Sequence, residues 1–246
     1  MKKLLLSLAI IVISTNLLAQ NGATVTISGQ VTDFDGNPIE NSAVILMGRN
    51  FNPAYMTTSD ATGHYVMEVE KGQYIALVAI RLEEYPRALE LFGVNPVAEE
   101  DMRLQFWAWN VIADRDLTIN ARYHQLELYG FRVFDVIGSG SPYMMAFVRP
   151  MSLGHVLKSG NMDVSVNPED IEFRMYASDK PLPVSSVQVV YEHFGENETP
   201  MRAFFLQFER PQEFSDVTIF RVVATYNAFG GEKGENWYFY RLIDYR

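Results

Sequence analysis

The chain has 246 residues, with 20 lysines and arginines against 30 aspartates and glutamates, a formal net charge of −10 and no cysteine. This acidic balance opposes binding to nucleic acid and to anionic membrane surfaces, since both need a positive protein face. Without cysteine, neither a disulfide framework nor a lipid anchor on cysteine is available.

The first twenty residues, MKKLLLSLAIIVISTNLLAQ, have the pattern of a secretory signal peptide. Lys2 and Lys3 give a positive start, residues 4–13 are almost entirely apolar, and small and polar residues follow. This apolar stretch is about half as long as a membrane-spanning helix, and Gln20 stands where a lipoprotein signal ends in cysteine. We therefore expect residues 1–20 to be removed, leaving 18 basic and 30 acidic residues, a charge of −12. The mature protein is expected in the periplasm or outside the cell, with no membrane span and no lipid anchor.

Residues 21–122 are predicted to form a first β domain. From Ala23 to Val31 apolar residues and glycine alternate with polar ones, and this period of two predicts a strand with one buried face. Short apolar runs separated by Asp, Gly and Pro turns then predict a meander of antiparallel hairpins. The further predicted strands cover about 42–48, 55–59, 64–70, 73–80, 102–112 and 116–121. The run RALELF, residues 87–92, fits either a helical turn or a short strand.

Residues 123–246 are predicted to form a second β domain, with the boundary near Arg122. Eight runs with strand character are separated by turn sequences such as GSGSP and GENETP, a spacing typical of a β-sandwich. The runs are 124–136, 142–150, 162–167, 171–178, 186–194, 202–209, 217–227 and 236–244. The expected fold class is all-β, with two consecutive antiparallel β-sandwich domains, the second Ig-like or similar.

One stretch of the first domain resembles a known family. The order ISGQVTD, DGNPIENSAVIL and TTSDATGHYVMEVEKGQYIALVA, within residues 24–80, is similar to the carboxypeptidase regulatory-like family of transthyretin-like β-sandwich modules. The matching residues are Gly29, Val31, Gly36, Pro38, Val44, Asp60, Gly63, Tyr65, Gly72 and Tyr74. Such modules are generally non-catalytic, so the resemblance implies stability, spacing or docking as the role of this part.

The sequence DFDGN, residues 33–37, is the most motif-like run in the chain. Asp33, Asp35 and Gly36 resemble the start of a calcium loop, which uses alternating carboxylates and a glycine. A helix-flanked loop of that kind needs a further acidic ligand eleven residues after the first, where this chain has Val44. Asp and Gly also suit turns for backbone reasons alone, so we interpret DFDGN as a hairpin corner.

Other runs that suggest chemistry lack its remaining parts. The His-x-x-Glu spacing of His193 and Glu196 matches half of a zinc site, but no histidine follows it in the chain. Gly138–Ser141, GSGS, is interpreted as a turn, since no nucleophile elbow or following helix accompanies it. No lysine lies on the first strand to form a Lys–Asn isopeptide crosslink. We therefore predict no catalytic residue, no metal site and no cofactor.

The aromatic run QFWAWN offers the candidate binding residues of the chain. Trp107 and Trp109 are two apart on a predicted strand, so they point the same way, and Gln105 shares their face. Adjacent flat rings with a side-chain amide suit the apolar faces and hydroxyls of a sugar. The competing interpretation is that one or both rings fill the core or the seam between domains.

The sequence thus favours an exported, non-catalytic interaction or structural module of the bacterial cell envelope. Its partner would be an envelope protein or a glycan. The alternative is a carbohydrate-binding protein using Trp107 and Trp109. A hydrolase with unrecognised carboxylates is the third class, because any two of the 30 acidic residues can meet in space.

Overall fold

A computed structural model describes residues 22–135, 140–159, 164–195 and 199–242, so the predicted signal peptide lies outside the described residues. Strands dominate, alongside two short α-helices, α1 (Ala88–Phe92) and α2 (Leu153–Ser159). The predicted all-β sandwich fold is confirmed. The strands are β1 (Thr24–Thr32), β2 (Ala43–Met47), β3 (Pro53–Thr58), β4 (His64–Glu70), β5 (Gly72–Ile80), β6 (Phe106–Ala113), β7 (Leu117–Thr118), β8 (Ala121–Arg122), β9 (Leu126–Phe134), β10 (Tyr143–Ser152), β11 (Ile171–Ala177), β12 (Lys180–Leu182), β13 (Val184–Glu192), β14 (Met201–Glu209), β15 (Val217–Tyr226) and β16 (Glu232–Arg241).

The strands form one large sheet and two small ones. The large sheet has eight strands in the order β12-β11-β15-β16-β6-β5-β2-β3. One small sheet, here the first small sheet, contains β4, β1, β7 and β8. The second small sheet has the order β13-β14-β10-β9.

The two small sheets pack on opposite faces of the large sheet, as the alternating side chains of β16 show. Trp237 and Phe239 enter the first core, beneath the first small sheet, together with residues such as Ile27. Tyr238 and Tyr240 pack against the second core, beneath the second small sheet. Because successive side chains of a strand point to opposite faces, β16 contributes to both sandwich layers.

The predicted meander is wrong, although the strands of the first half are largely where the sequence places them. β1 pairs with β4, with Ile27 opposite Met67, while β2 pairs with β3 and β5 in the large sheet. DFDGN closes a local turn with an antiparallel bridge between Thr32 and Pro38, but β1 and β2 do not pair, and after DFDGN and DATG the chain passes from one layer to the other. Turn residues specify a reversal of the chain, but they do not specify which strand the returning segment bonds to.

The sheets also contain parallel pairs within a mainly antiparallel arrangement. β1 runs parallel to β7 and β8, and β16 runs parallel to β6, with Asn236 opposite Trp107. The pair formed by β6 and β16 joins the two predicted domains through one continuous sheet. The boundary predicted near Arg122 falls between β8 and β9 and stays a prediction.

The structure also shows what the undecided run 87–92 forms and how much of the strand predicted at 162–167 is present in the described residues. The undecided run 87–92 contains α1, whose C-terminal Gly93 adopts a left-handed conformation with φ of 69°. Of the strand predicted at 162–167, the described part holds a single bridge between Ser165 and Met151. Neither α1 nor α2 nor any other helix in the described ranges has the length and apolar character needed to cross a membrane.

Candidate functional site

The structure brings the three predicted binding residues together at the start of β6. Trp107 and Trp109 alternate with Phe106 and Ala108, which enter the first core, so both indoles lie on the opposite face of the large sheet. Their rings stack with centroids 4.7 Å apart and 7° between the ring planes. Gln105 reaches the same place, because its side chain shares a hydrogen-bond acceptor with Trp107.

Trp107 is nevertheless buried, with 8% of its surface exposed, and Trp109 is half-buried. The ring of Tyr129, from β9, stands edge-on to both indoles at 5.4 and 5.3 Å. Since the two indoles stack on each other instead of lying side by side, they do not present a flat platform to a sugar ring. A role for Trp107 and Trp109 in ligand binding stays a prediction.

The shared acceptor is the carboxyl group of Glu127 on β9, which is 1% exposed. Its Oε1 accepts hydrogen bonds from Trp107 Nε1 at 2.8 Å and from Gln105 Nε2 at 3.1 Å. Its Oε2 is buried and has no hydrogen-bond partner among the described residues. Burial raises the pKa of Glu127 to about 7, against the lowering effect of the two hydrogen bonds and of Arg149.

Arg149, on the neighbouring strand β10, stands next to this carboxyl group. Its Nη1 donates to Glu192 Oε2 at 2.6 Å, and its guanidinium lies over the rings of Tyr129 and Phe194 at 4.8 and 5.0 Å. These contacts hold the side chain in one orientation. Its Nε–H is buried and, like Glu127 Oε2, finds no partner in the described part of the chain.

Glu127 and Arg149 both line a cleft of about 870 Å³ between the second small sheet and the segment that leads to β6. Most of the cleft wall is apolar. The lining residues are Tyr85, Pro86, Arg87, Leu104, Glu127, Arg149, Met151, Ser152, Val156, Val164, Phe194, Thr199 and Met201. Ligand sites in proteins commonly combine such a wall with a few placed polar groups.

A buried ion pair fixes the segment that forms one wall of the cleft. Glu84, 4% exposed, accepts from Arg103 at 2.5 Å and from Arg81 at 3.1 Å. The backbone N–H of Arg103 also donates to the Glu84 carbonyl, and that of Leu104 donates to the carbonyl of His124. The wall carrying Tyr85 and Leu104 is therefore anchored to the body of the protein.

A second tryptophan–glutamate pair, on the other face of the large sheet, compensates its carboxyl group more fully than Glu127 is compensated. Trp237 donates its indole N–H to Glu235 Oε1 at 2.6 Å, and Glu235 is also buried. There, however, Arg122 pairs with Oε2, and Arg221 lies 3.8 Å from Oε1. Both oxygens of Glu235 are thus compensated by cations, whereas one oxygen of Glu127 is left without a partner.

The described parts of the other motifs form no site. In DFDGN, Asp33 Oδ1 accepts the backbone N–H groups of Asp35 and Asn37 at 2.8 and 2.9 Å, so the carboxylate closes its own turn. Among the described residues no cluster of His, Asp or Glu is arranged to hold a metal ion. Glu196 of the His-x-x-Glu run and part of GSGS lie outside the described residues.

Sequence reasoning missed Glu127 and Arg149, although a change of phase in β9 marks their neighbourhood. Leu126 and Leu128 enter the second core, and so do Phe131 and Val133, which means that the alternation shifts by one residue between them. Gly130 sits at the shift with φ of 67°, and the pairing with β10 is irregular there. Such a shift is typical of a β-bulge, and bulges often redirect side chains at functional sites.

No protein-family model matches the chain, and no curated protein matches it. Among solved structures, it is similar to a DUF3823 family protein from Parabacteroides merdae, with 12% identity, coverage of 91% of this chain and 100% of that one, and a TM-score of 0.28. It is also similar to BcpA, the major pilin subunit of Bacillus cereus, with 8% identity, coverage of 88% and 69%, and a TM-score of 0.27. TM-scores this low assign neither a family nor a function.

Proposed function

We propose that this chain is an exported, non-catalytic binding module that takes its ligand in the cleft at Glu127. The carrying observation is the buried Glu127 Oε2, which lacks a partner in the described structure although the carboxyl group lines a cleft. Leaving a buried polar group unpaired costs about 1–3 kcal/mol. A ligand donor that reaches this oxygen would remove that cost.

Binding without catalysis is favoured by the polar groups of the cleft. Among the described residues that line the cleft, Glu127 is the one carboxylate. Hydrolysis of a glycoside by carboxyl groups needs two such groups that face each other. The resemblance of residues 24–80 to carboxypeptidase regulatory-like modules points the same way. In this proposal that part is a transthyretin-like scaffold, and its sheet supplies Trp107 to position Glu127.

Export is proposed from the first twenty residues, whose charged start and apolar stretch fit a signal peptide. The site of action is then the bacterial cell envelope or the space outside the cell. A carbohydrate ligand remains the second candidate, because Trp109 is half-buried and stands edge-on to Phe51, which is 49% exposed. A sugar there would contact Trp109 without Trp107.

The proposal is tested by asking whether small molecules bind in this cleft. Saturation-transfer NMR on the mature chain would use a mixture of apolar amides, apolar esters and methyl glycosides. Met151→Trp fills the cleft opposite Glu127, and Met56→Trp, at a residue 67% exposed on β3, is the matched control.

We expect at least one compound to bind the wild type and Met56→Trp and to lose its signal with Met151→Trp. Signals that persist unchanged in Met151→Trp, or no signal from any compound with the wild type, would overturn the proposal.

A further inference from the structure

We infer that the ligand of the cleft is a neutral, apolar peptide-type amide, whose N–H donates to Glu127 Oε2 and whose carbonyl accepts from Arg149 Nε. This inference rests on the proposed binding function and adds the chemical class of the ligand. The two atoms are the unpartnered acceptor and the unpartnered donor that the described cleft residues provide. An amide carries one group of each kind on adjacent atoms.

The two atoms are placed on one side of the same strand pair. Glu127 lies directly opposite Met151 in the β9–β10 pairing, and Arg149 lies opposite Tyr129. Glu127 and Arg149 are therefore diagonal neighbours, and such Cα atoms are roughly 7–8 Å apart. Both side chains line the same cleft, and the proposal places one amide group between the two atoms.

The charges around the cleft argue against an ionic ligand. Arg149 is paired with Glu192 at 2.6 Å, and Arg87 is paired with Glu90 through two hydrogen bonds of 2.8 and 2.6 Å. Neither arginine therefore offers an uncompensated charge to an anion. A cationic ligand would satisfy Glu127, but it would leave Arg149 Nε without an acceptor and would face the positive guanidinium group.

The walls argue against a sugar. Leu104, Met151, Val156, Val164 and Met201 offer no hydrogen bonds, so most hydroxyl groups of a pyranose would be buried without partners.

Tyr85 and Phe194 add aromatic rings to the same wall, and Phe194 lies at the surface with 53% exposure. Apolar side chains on either side of an amide fit such a wall. An apolar peptide segment has this composition.

The test compares N-benzyl-4-methylpentanamide with its ester, benzyl 4-methylpentanoate, which lacks the N–H, and with methyl β-glucopyranoside. The readout is the indole N–H signal of Trp107 in a ¹H–¹⁵N spectrum of the mature chain at pH 8, because this N–H is bonded to Glu127 Oε1 and the carboxyl group is ionised above its pKa of about 7. The indole N–H of Trp237, bonded to Glu235 on the other face of the sheet, is the internal control.

We expect the amide to shift the Trp107 signal and not the Trp237 signal, and to bind at least about tenfold more tightly than the ester. Glu127→Leu should weaken amide binding to the level of the ester and leave ester binding unchanged, and Arg149→Met should weaken the amide as well.

Equal binding of amide and ester, or a stronger response to the glucoside, would overturn the amide assignment and leave the proposed binding function standing. No response to the amide would also overturn the assignment. The binding function itself fails only if the comparison of Met151→Trp with Met56→Trp shows no cleft-dependent ligand.

Discussion

Trp107 donates its indole N–H to Glu127 at 2.8 Å, and this bond links strand β6 of the large sheet to strand β9 of the second small sheet. The donor comes from the first predicted domain and the acceptor from the second. The bond orients the carboxyl group so that Oε1 is used and Oε2 is not. A tryptophan that the sequence offers either as a candidate ligand contact or as a filler of the core or seam thus supports an acidic side chain beside it.

The first prediction concerns the stability of the protein as a function of pH. Burial raises the pKa of Glu127 to about 7, above its ordinary value of 4.5. The folded chain therefore holds this proton more tightly than the unfolded chain, so the stabilisation is complete below pH about 4.5 and is lost as pH rises through about 7. The shift corresponds to about 3 kcal/mol.

Urea unfolding of the wild type and of Glu127→Gln at a series of pH values measures this effect. The free energy of unfolding of the wild type, relative to the variant, should fall by about 3 kcal/mol between pH 4.5 and 8. The same measurement on Glu232→Gln tests the effect at a second carboxyl group, since burial also raises the pKa of Glu232 to about 7. A difference between wild type and Glu127→Gln that stays constant with pH would contradict the prediction.

The second prediction separates two roles of glycine, one on the buried side of strand β1 and one in the exposed turn that follows it. A Cβ at Gly29 would lie 2.0 Å from the carbonyl oxygen of Ile119, whereas a Cβ at Gly36 would meet no atom within 4 Å. Gly36 instead has a φ of 86°, which disfavours other residues by about 1 kcal/mol. We expect Gly29→Ala to destabilise the protein by about 3 kcal/mol and Gly36→Ala by about 1 kcal/mol.

Chemical denaturation of both variants provides the measurement. Gly36→Asn should be milder than Gly36→Ala, because asparagine tolerates the left-handed conformation. If Gly29→Ala and Gly36→Ala lose equal amounts of unfolding free energy, then the close approach of β1 to Ile119 is not what requires glycine at position 29.

The third prediction decides what the DFDGN sequence does. Asp33 uses Oδ1 for two backbone N–H groups and Oδ2 for the side chain of Asn37 at 2.8 Å, so its carboxylate is already engaged. Asp33→Ala should lower the free energy of unfolding by about 1–2 kcal/mol. Asp35→Ala should change it little, and millimolar calcium should leave the melting temperature of the wild type unchanged. A calcium-dependent rise of that temperature, lost in both variants, would restore the metal interpretation.

Strand positions could be predicted from the sequence, because alternation and turn residues are local signals. Strand β1, with Ile27 on its buried face, and the aromatic strand β6 around Trp107 are examples. Pairing could not be predicted, since nothing in the DFDGN turn distinguishes a hairpin from a crossing between layers. The cleft was missed for the same reason. Glu127 alternates with Leu126 and Leu128 like a surface residue, and only the fold covers that face with Trp107.

The last prediction concerns the independence of the two predicted domains. The first core contains Val217, Trp237 and Phe239, which come from β15 and β16, and β6 pairs with β16 in the middle of the large sheet. A fragment of residues 21–122 would lose these side chains and expose the edge of β6. We therefore expect this fragment to lack a cooperative thermal transition, whereas residues 21–246 unfold cooperatively.

Adding residues 123–246 should restore dispersed ¹H–¹⁵N signals to the fragment by rebuilding the β6–β16 pair. If 21–122 alone gives a dispersed spectrum and a cooperative transition, then the first sandwich folds without Trp237 and Phe239, and the shared sheet forms by docking of two finished domains.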